Sequence, residues 1–83
     1  MRVEKLNESV QIRADFKGGT ISPILMRRGD RKHRVESVNG RWVDREGEST
    51  RYFFAITTDS GDVFQLFLRT QDMTWHLAAV MLE

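Results

Sequence analysis

The chain has no cysteine. That excludes a disulfide-stapled secreted scaffold, a thiol nucleophile and any cysteine metal site. It has a single proline, Pro23, so long Pro-rich linkers are absent as well. No apolar run approaches the roughly 18 residues of a membrane-spanning helix. The opening Met1-Arg2-Val3-Glu4-Lys5 lacks a signal-peptide core, which makes the cytoplasm the expected compartment. What remains is 83 residues, 40% hydrophobic and 30% charged, a balance that suits one folded domain over 1–83 rather than a disordered chain. Residues 1–9 are the part expected to be flexible. Leu82-Glu83 matches the dipeptide that a common cloning site leaves before a tag.

The net charge of +1 hides a division along the chain. Residues 27–45 carry Arg27, Arg28, Arg31, Lys32, Arg34, Arg41 and Arg45 against Asp30, Glu36 and Asp44, a net of +4. Residues 46–83 carry Arg51 and Arg69 against six acids, a net of −4. Either the two stretches pair across a sheet, with little gain per pair, or the basic stretch presents a surface to phosphates.

The elements read mainly as strands. Val10, Ile12, Ala14 and Phe16 alternate with polar residues until Gly18-Gly19. Ile21–Met26 is a second strand, placed at an edge or starting irregularly because Pro23 cannot donate to a ladder. Arg27–Arg31 is a charged turn; its Arg28-Gly29-Asp30 is a β-turn rather than an adhesion signal. A third strand runs through Val35 and Val38. Asn39-Gly40 then marks either a tight hairpin or a bulge in a strand continuing through Val43, and the bulge is preferred. Asp44–Thr50 is a loop. Tyr52–Thr57, apolar on both faces, is a central strand, and Val63–Leu68 completes a hairpin with it. Trp75–Met81 contains strong helix formers, so propensity alone predicts a helix there. The fold class is all-β: a small antiparallel SH3-like barrel, or strongly bent sheet, of five to six strands with one open edge.

The order of anchors is Gly29-x-Arg31-x-x-Arg34-Val35-x-x-Val38, Arg41-Trp42, Arg51-Tyr52-Phe53, the Gly61 turn, Phe64-x-Leu66 and Trp75-x-Leu77-x-x-Val80. It resembles a family of small, functionally uncharacterised bacterial domains. Members are often encoded beside, or fused to, an inactive Y-family-polymerase-like protein of SOS mutagenesis. The resemblance covers about residues 21–81. It lacks the tryptophan pair that members often carry after the Trp42 position, and the N-terminal strand falls outside the pattern. It implies a closing strand, not a helix, for Trp75–Met81, and an accessory role in DNA repair or mutagenesis. It implies no catalytic residues.

The residues offer little for catalysis. His33 lies within a basic run and reads as a solvated strand residue, and His76 as an outward-facing one. Two distant histidines do not make a zinc site. No phosphate-cradling glycine loop or nucleophile elbow occurs. The expectation is a non-enzymatic binding module with no catalytic residues, metal or cofactor. Two surfaces are candidates. Trp42 and Tyr52 form the first, a cleft for an unidentified protein partner. Arg27, Arg28, Arg31, Lys32, Arg34 and Arg41 form the second, for sequence-tolerant nucleic-acid binding, with Trp42, Tyr52 or Trp75 as stacking platforms if they are not in the core. No membrane partner is expected. The chain is expected to be a monomer or a weak dimer through a strand edge.

Overall fold

The computed structural model describes residues 2–82. Six strands follow one another: β1 (Arg2–Lys17), β2 (Thr20–Arg28), β3 (Arg31–Glu46), β4 (Ser49–Thr58), β5 (Val63–Arg69) and β6 (Thr74–Leu82). Each pairs antiparallel with the next, and β1 returns to β6, so the ring is closed. Every strand has a neighbour on both sides, so the wholly open edge expected from sequence is absent, although the β2–β3 ladder is partial. Small barrels remove edges by closure. Among the described residues, no helix is long and apolar enough to cross a membrane.

Closure depends on two long strands. The first part of β1, Arg2–Val10, pairs with β6, and its second part, Gln11–Lys17, pairs with β2. Likewise Arg31–Arg34 of β3 pairs with β2, while Val35–Glu46 pairs with β4. Each long strand changes partner midway and turns a corner. Bulges supply the bends, because an unpaired residue increases local twist. They fall between Lys5 and Glu8, Arg13 and Ala14, Val35 and Ser37, and Val38 and Gly40. Asn39-Gly40 is thus a bulge and not a hairpin. The Asn39 amide donates to Thr57 Oγ1 at 2.8 Å, and Gly40 sits opposite Ala55. Pro23 faces Ala14 at another bulge, where a missing donor costs no ladder bond.

Met26, Phe54, Ile56, Phe64, Leu66, Leu77 and Val80 fill the interior. They are the inward positions of β2, β4, β5 and β6, and barrels of this size are packed by side chains. Trp75 is half-buried and packs on Phe54, with ring centroids 5.6 Å apart. Trp75–Met81 is strand, so tertiary pairing between β5 and β1 overrides the helix propensity of Leu77-Ala78-Ala79. The expected 44–50 loop is also corrected: β3 runs to Glu46 and β4 starts at Ser49. His33 is not a solvated residue. It is half-buried and meets Phe64 edge-on at 5.9 Å. Glu83, half of the suspected cloning remnant, lies outside the described residues, whereas Leu82 pairs with Arg2.

Candidate functional site

The ring has one weak seam. Between β2 and β3 the ladder covers only Leu25–Arg28 against Arg31–Arg34. Beyond it the strands part: Thr20–Pro23 stays with β1, and Gly40–Glu46 stays with β4. The turn Gly18-Gly19, at φ of 57° and 77°, carries β1 into β2 on one lip of the gap. Arg41 reaches across, donating from Nε to the Ile21 carbonyl at 3.4 Å and from Nη2 to Ser22 Oγ at 3.3 Å. Both bonds lie beyond the usual 2.7–3.2 Å range for such donors and are readily exchanged.

The parted seam opens into a cleft of about 600 Å³ at the barrel mouth. Ile21, Phe54 and Leu68 form its inner surface, with Phe16, Val43, Tyr52 and Met73 around it. Seven large hydrophobic side chains are exposed among the described residues, and five of them line this cleft: Phe16, Trp42, Val43, Tyr52 and Met73. Such clustering, rather than exposure itself, marks a binding surface. Lys17 and Arg41 are the only charged residues in the lining among the described residues. Met73 has φ of 57°, in the left-handed region that non-glycine residues avoid. It is 62% exposed, so little packing holds it there. Met73→Gly is expected to raise the unfolding free energy by about 0.5–1 kcal/mol. Relief of ~1–2 kcal/mol of backbone strain is partly offset by the freer unfolded chain. Urea denaturation measures it.

The outer wall of the mouth is braced by an aromatic row. Trp42, Phe53, Phe67 and His76 are direct cross-strand neighbours on β3 to β6. Their ring centroids are 5.3, 5.0 and 5.0 Å apart in that order. The Arg51 guanidinium lies over Phe53 and Phe67 at 5.1 and 5.2 Å, and Asp44 holds it with two hydrogen bonds of 2.8 Å. At the far end Thr74 Oγ1 donates to Asp72 at 2.6 Å and so accepts from His76 Nε2–H at 2.7 Å. Hydrogen bonding from Arg69, then from Thr74, holds the Asp72 carboxyl down at about 2. Burial, reinforced by Arg69, pushes the His76 imidazole below its ordinary 6.5. The native state therefore resists a proton that the unfolded chain accepts. Stability contributed here is complete at neutral pH and declines as pH falls through about 6.5. His76→Gln is expected to flatten the loss of stability between about pH 7.5 and about pH 5.5, read as denaturation midpoints.

The structure divides the residues singled out from sequence. It brings Trp42, 40% exposed, and Tyr52, 37% exposed, to the same cleft. It separates the six cations. Arg28 turns to Glu8 in a bidentate pair with two bonds of 2.8 Å, which lowers the Glu8 pKa. Arg41 bridges the seam. Arg27, Lys32 and Arg34 are exposed on the outer side of β2 and β3, and Arg31 stands at the rim opposite Arg28. None of these last four forms an ion pair among the described residues, so the basic stretch is not neutralised by the acidic half. Sequence reasoning missed Phe16, Lys17, Val43 and Met73 at the mouth. Phe16 ends an alternating run and so reads as core; nothing local distinguishes Val43 or Met73. No family model, curated protein or solved structure matches the chain.

Proposed function

We propose that this protein is a non-catalytic interaction module whose parted β2–β3 seam receives an extended segment of a partner protein. The parting itself carries the reading. Two strand edges without a ladder partner face each other across an apolar mouth, and an added strand satisfies main-chain groups while apolar side chains enter the cleft. Among the described residues the lining holds Lys17 and Arg41 and no acid, so the segment that complements it is apolar with carboxylates. Arg41 would exchange its two long bonds for one of those carboxylates. The resemblance noted above sets the partner in bacterial DNA repair or mutagenesis, and that setting belongs to the proposal.

A titration tests it. A short peptide alternating valine with aspartate is added to labelled protein, and amide shifts are followed by NMR. Saturable shifts confined to Thr20–Ile24, Arg41–Asp44 and Tyr52 are expected, with weaker binding of the valine–lysine counterpart. Shifts absent up to about 1 mM, a concentration equivalent to only about 4 kcal/mol of binding, sink the reading. If the mouth serves instead to join two copies, the protein alone elutes earlier as its concentration rises.

A further inference from the structure

The barrel carries a second surface, on the side of β1, β2 and β3 away from the interior. The register lays out two outward rows there. One is Gln11–Arg27–Lys32 and the other Arg13–Leu25–Arg34, and between them lies the inward row of Ile12, Met26 and His33. Strands sit ~4.8 Å apart and alternate residues ~7 Å apart. Four cations therefore surround Leu25 within a patch of about 10 by 7 Å. Arg13, Arg27, Lys32 and Arg34 are all exposed, and no acid stands in either row. The nearest acids stand outside both rows, Asp15 and Glu36 beyond one end and Asp30 in the turn beyond the other, and none of the four cations is ion-paired among the described residues.

Arg27 and Lys32 are directly opposed across the ladder. Like charges in that relation destabilise a sheet. The same hairpin places Arg28 opposite Arg31, but there Glu8 compensates. The uncompensated pair is thus a cost to the fold, and it is relieved when an anion joins the two. Beside it a shallow groove of about 430 Å³ is lined by Ser9, Gln11, Arg27 and Gly29, with the Arg27 Nε donating to the Gly29 carbonyl over a long 3.4 Å. Three of the four cations are arginines, whose planar fork matches phosphate oxygens. Neither row contains an aromatic on which a base would stack. Leu25, its central apolar residue, is half-buried, which leaves little to insert into a lipid surface.

We infer that the outer face of β1, β2 and β3 binds the phosphate backbone of a nucleic acid without reading its sequence, through Arg13, Arg27, Lys32 and Arg34. The site is distinct from the seam and does not depend on what the seam binds. It also differs from the whole basic stretch: it gains Arg13, and it leaves out Arg28 and Arg41, which are engaged elsewhere, Arg31, which stands opposite Arg28 outside both rows, and Arg45, which pairs with β4.

Fluorescence anisotropy of a labelled single-stranded oligothymidine on the intact protein tests it. Four phosphate contacts give a slope of about −2.8 in log K against log salt, so affinity falls about 50-fold between roughly 50 and 200 mM salt. Arg13→Gln, Arg27→Gln and Lys32→Gln each lower affinity and reduce the slope by about 0.7. The Arg27 and Lys32 variants also keep or raise the thermal midpoint, because a repulsion is removed. Arg28→Gln leaves the slope in place. Three results overturn the inference: a slope unchanged by Arg13→Gln, an equal fall for Arg28→Gln, or phosphatidylserine vesicles captured through these residues while the oligonucleotide is not.

Discussion

Leu66→Ala lowers the free energy of unfolding by about 2–5 kcal/mol, the cost of removing a buried leucine and leaving a cavity. Leu66 is fully buried, and its cross-strand neighbours are Phe54 on one side and Leu77 on the other. Its ladder partner shifts at a bulge between Gln65 and Leu66, so the surrounding backbone is already bent and has little freedom to collapse inward. A domain of 83 residues has only about 4–12 kcal/mol in total. The substitution therefore removes a large fraction of it, and the urea midpoint moves far to the left. A loss below about 1 kcal/mol would mean that the interior is not packed as described.

The second large effect is functional. Val43→Asp is expected to weaken the acidic peptide at the seam by at least about tenfold, equivalent to ~1.4 kcal/mol. Val43 is opposite Tyr52 on the face that looks into the mouth, next in the chain to Trp42. It is 58% exposed, so the fold tolerates the change to within about 0.5 kcal/mol. An aspartate there replaces apolar surface with a charge of the peptide's own sign. Isothermal titration of both proteins decides. Equal affinities with an unchanged thermal midpoint would place the peptide elsewhere.

Some of this architecture was legible from residues alone. The β4–β5 hairpin follows from a run apolar on both faces, a turn and a second such run. The bulge at Asn39-Gly40 was one of two readings, because the same dipeptide suits a hairpin and an interruption. Only the length of β4 available opposite it decides. Trp75–Met81 shows the limit of propensity: alanine and leucine favour a helix, but the slot between β5 and β1 accepts only a strand. Polar residues from Asp44 to Glu46 resemble a loop, since a strand that outruns the core needs no apolar face. The site was legible in its aromatics, Trp42 and Tyr52, and illegible in Val43 and Met73, whose exposure depends on where the interior ends. Among the arginines nothing local separates Arg27 from Arg28. One step along a strand turns the side chain from the outer face to Glu8.

The pairing of β1 with β6 has a consequence for how the chain reaches its native state. Every other ladder joins strands consecutive in sequence, so each can form early as a local hairpin. The β1–β6 ladder joins residues such as Val10 and Trp75, or Arg2 and Leu82. Closing a loop of that span costs about 4 kcal/mol of chain entropy beyond the constant term. Five hairpins can zip rapidly, yet the ring stays unlatched until its two ends meet. That one event is the natural rate-limiting step, and in the interval before it the unlatched edges of β1 and β6 are free to capture one another between molecules.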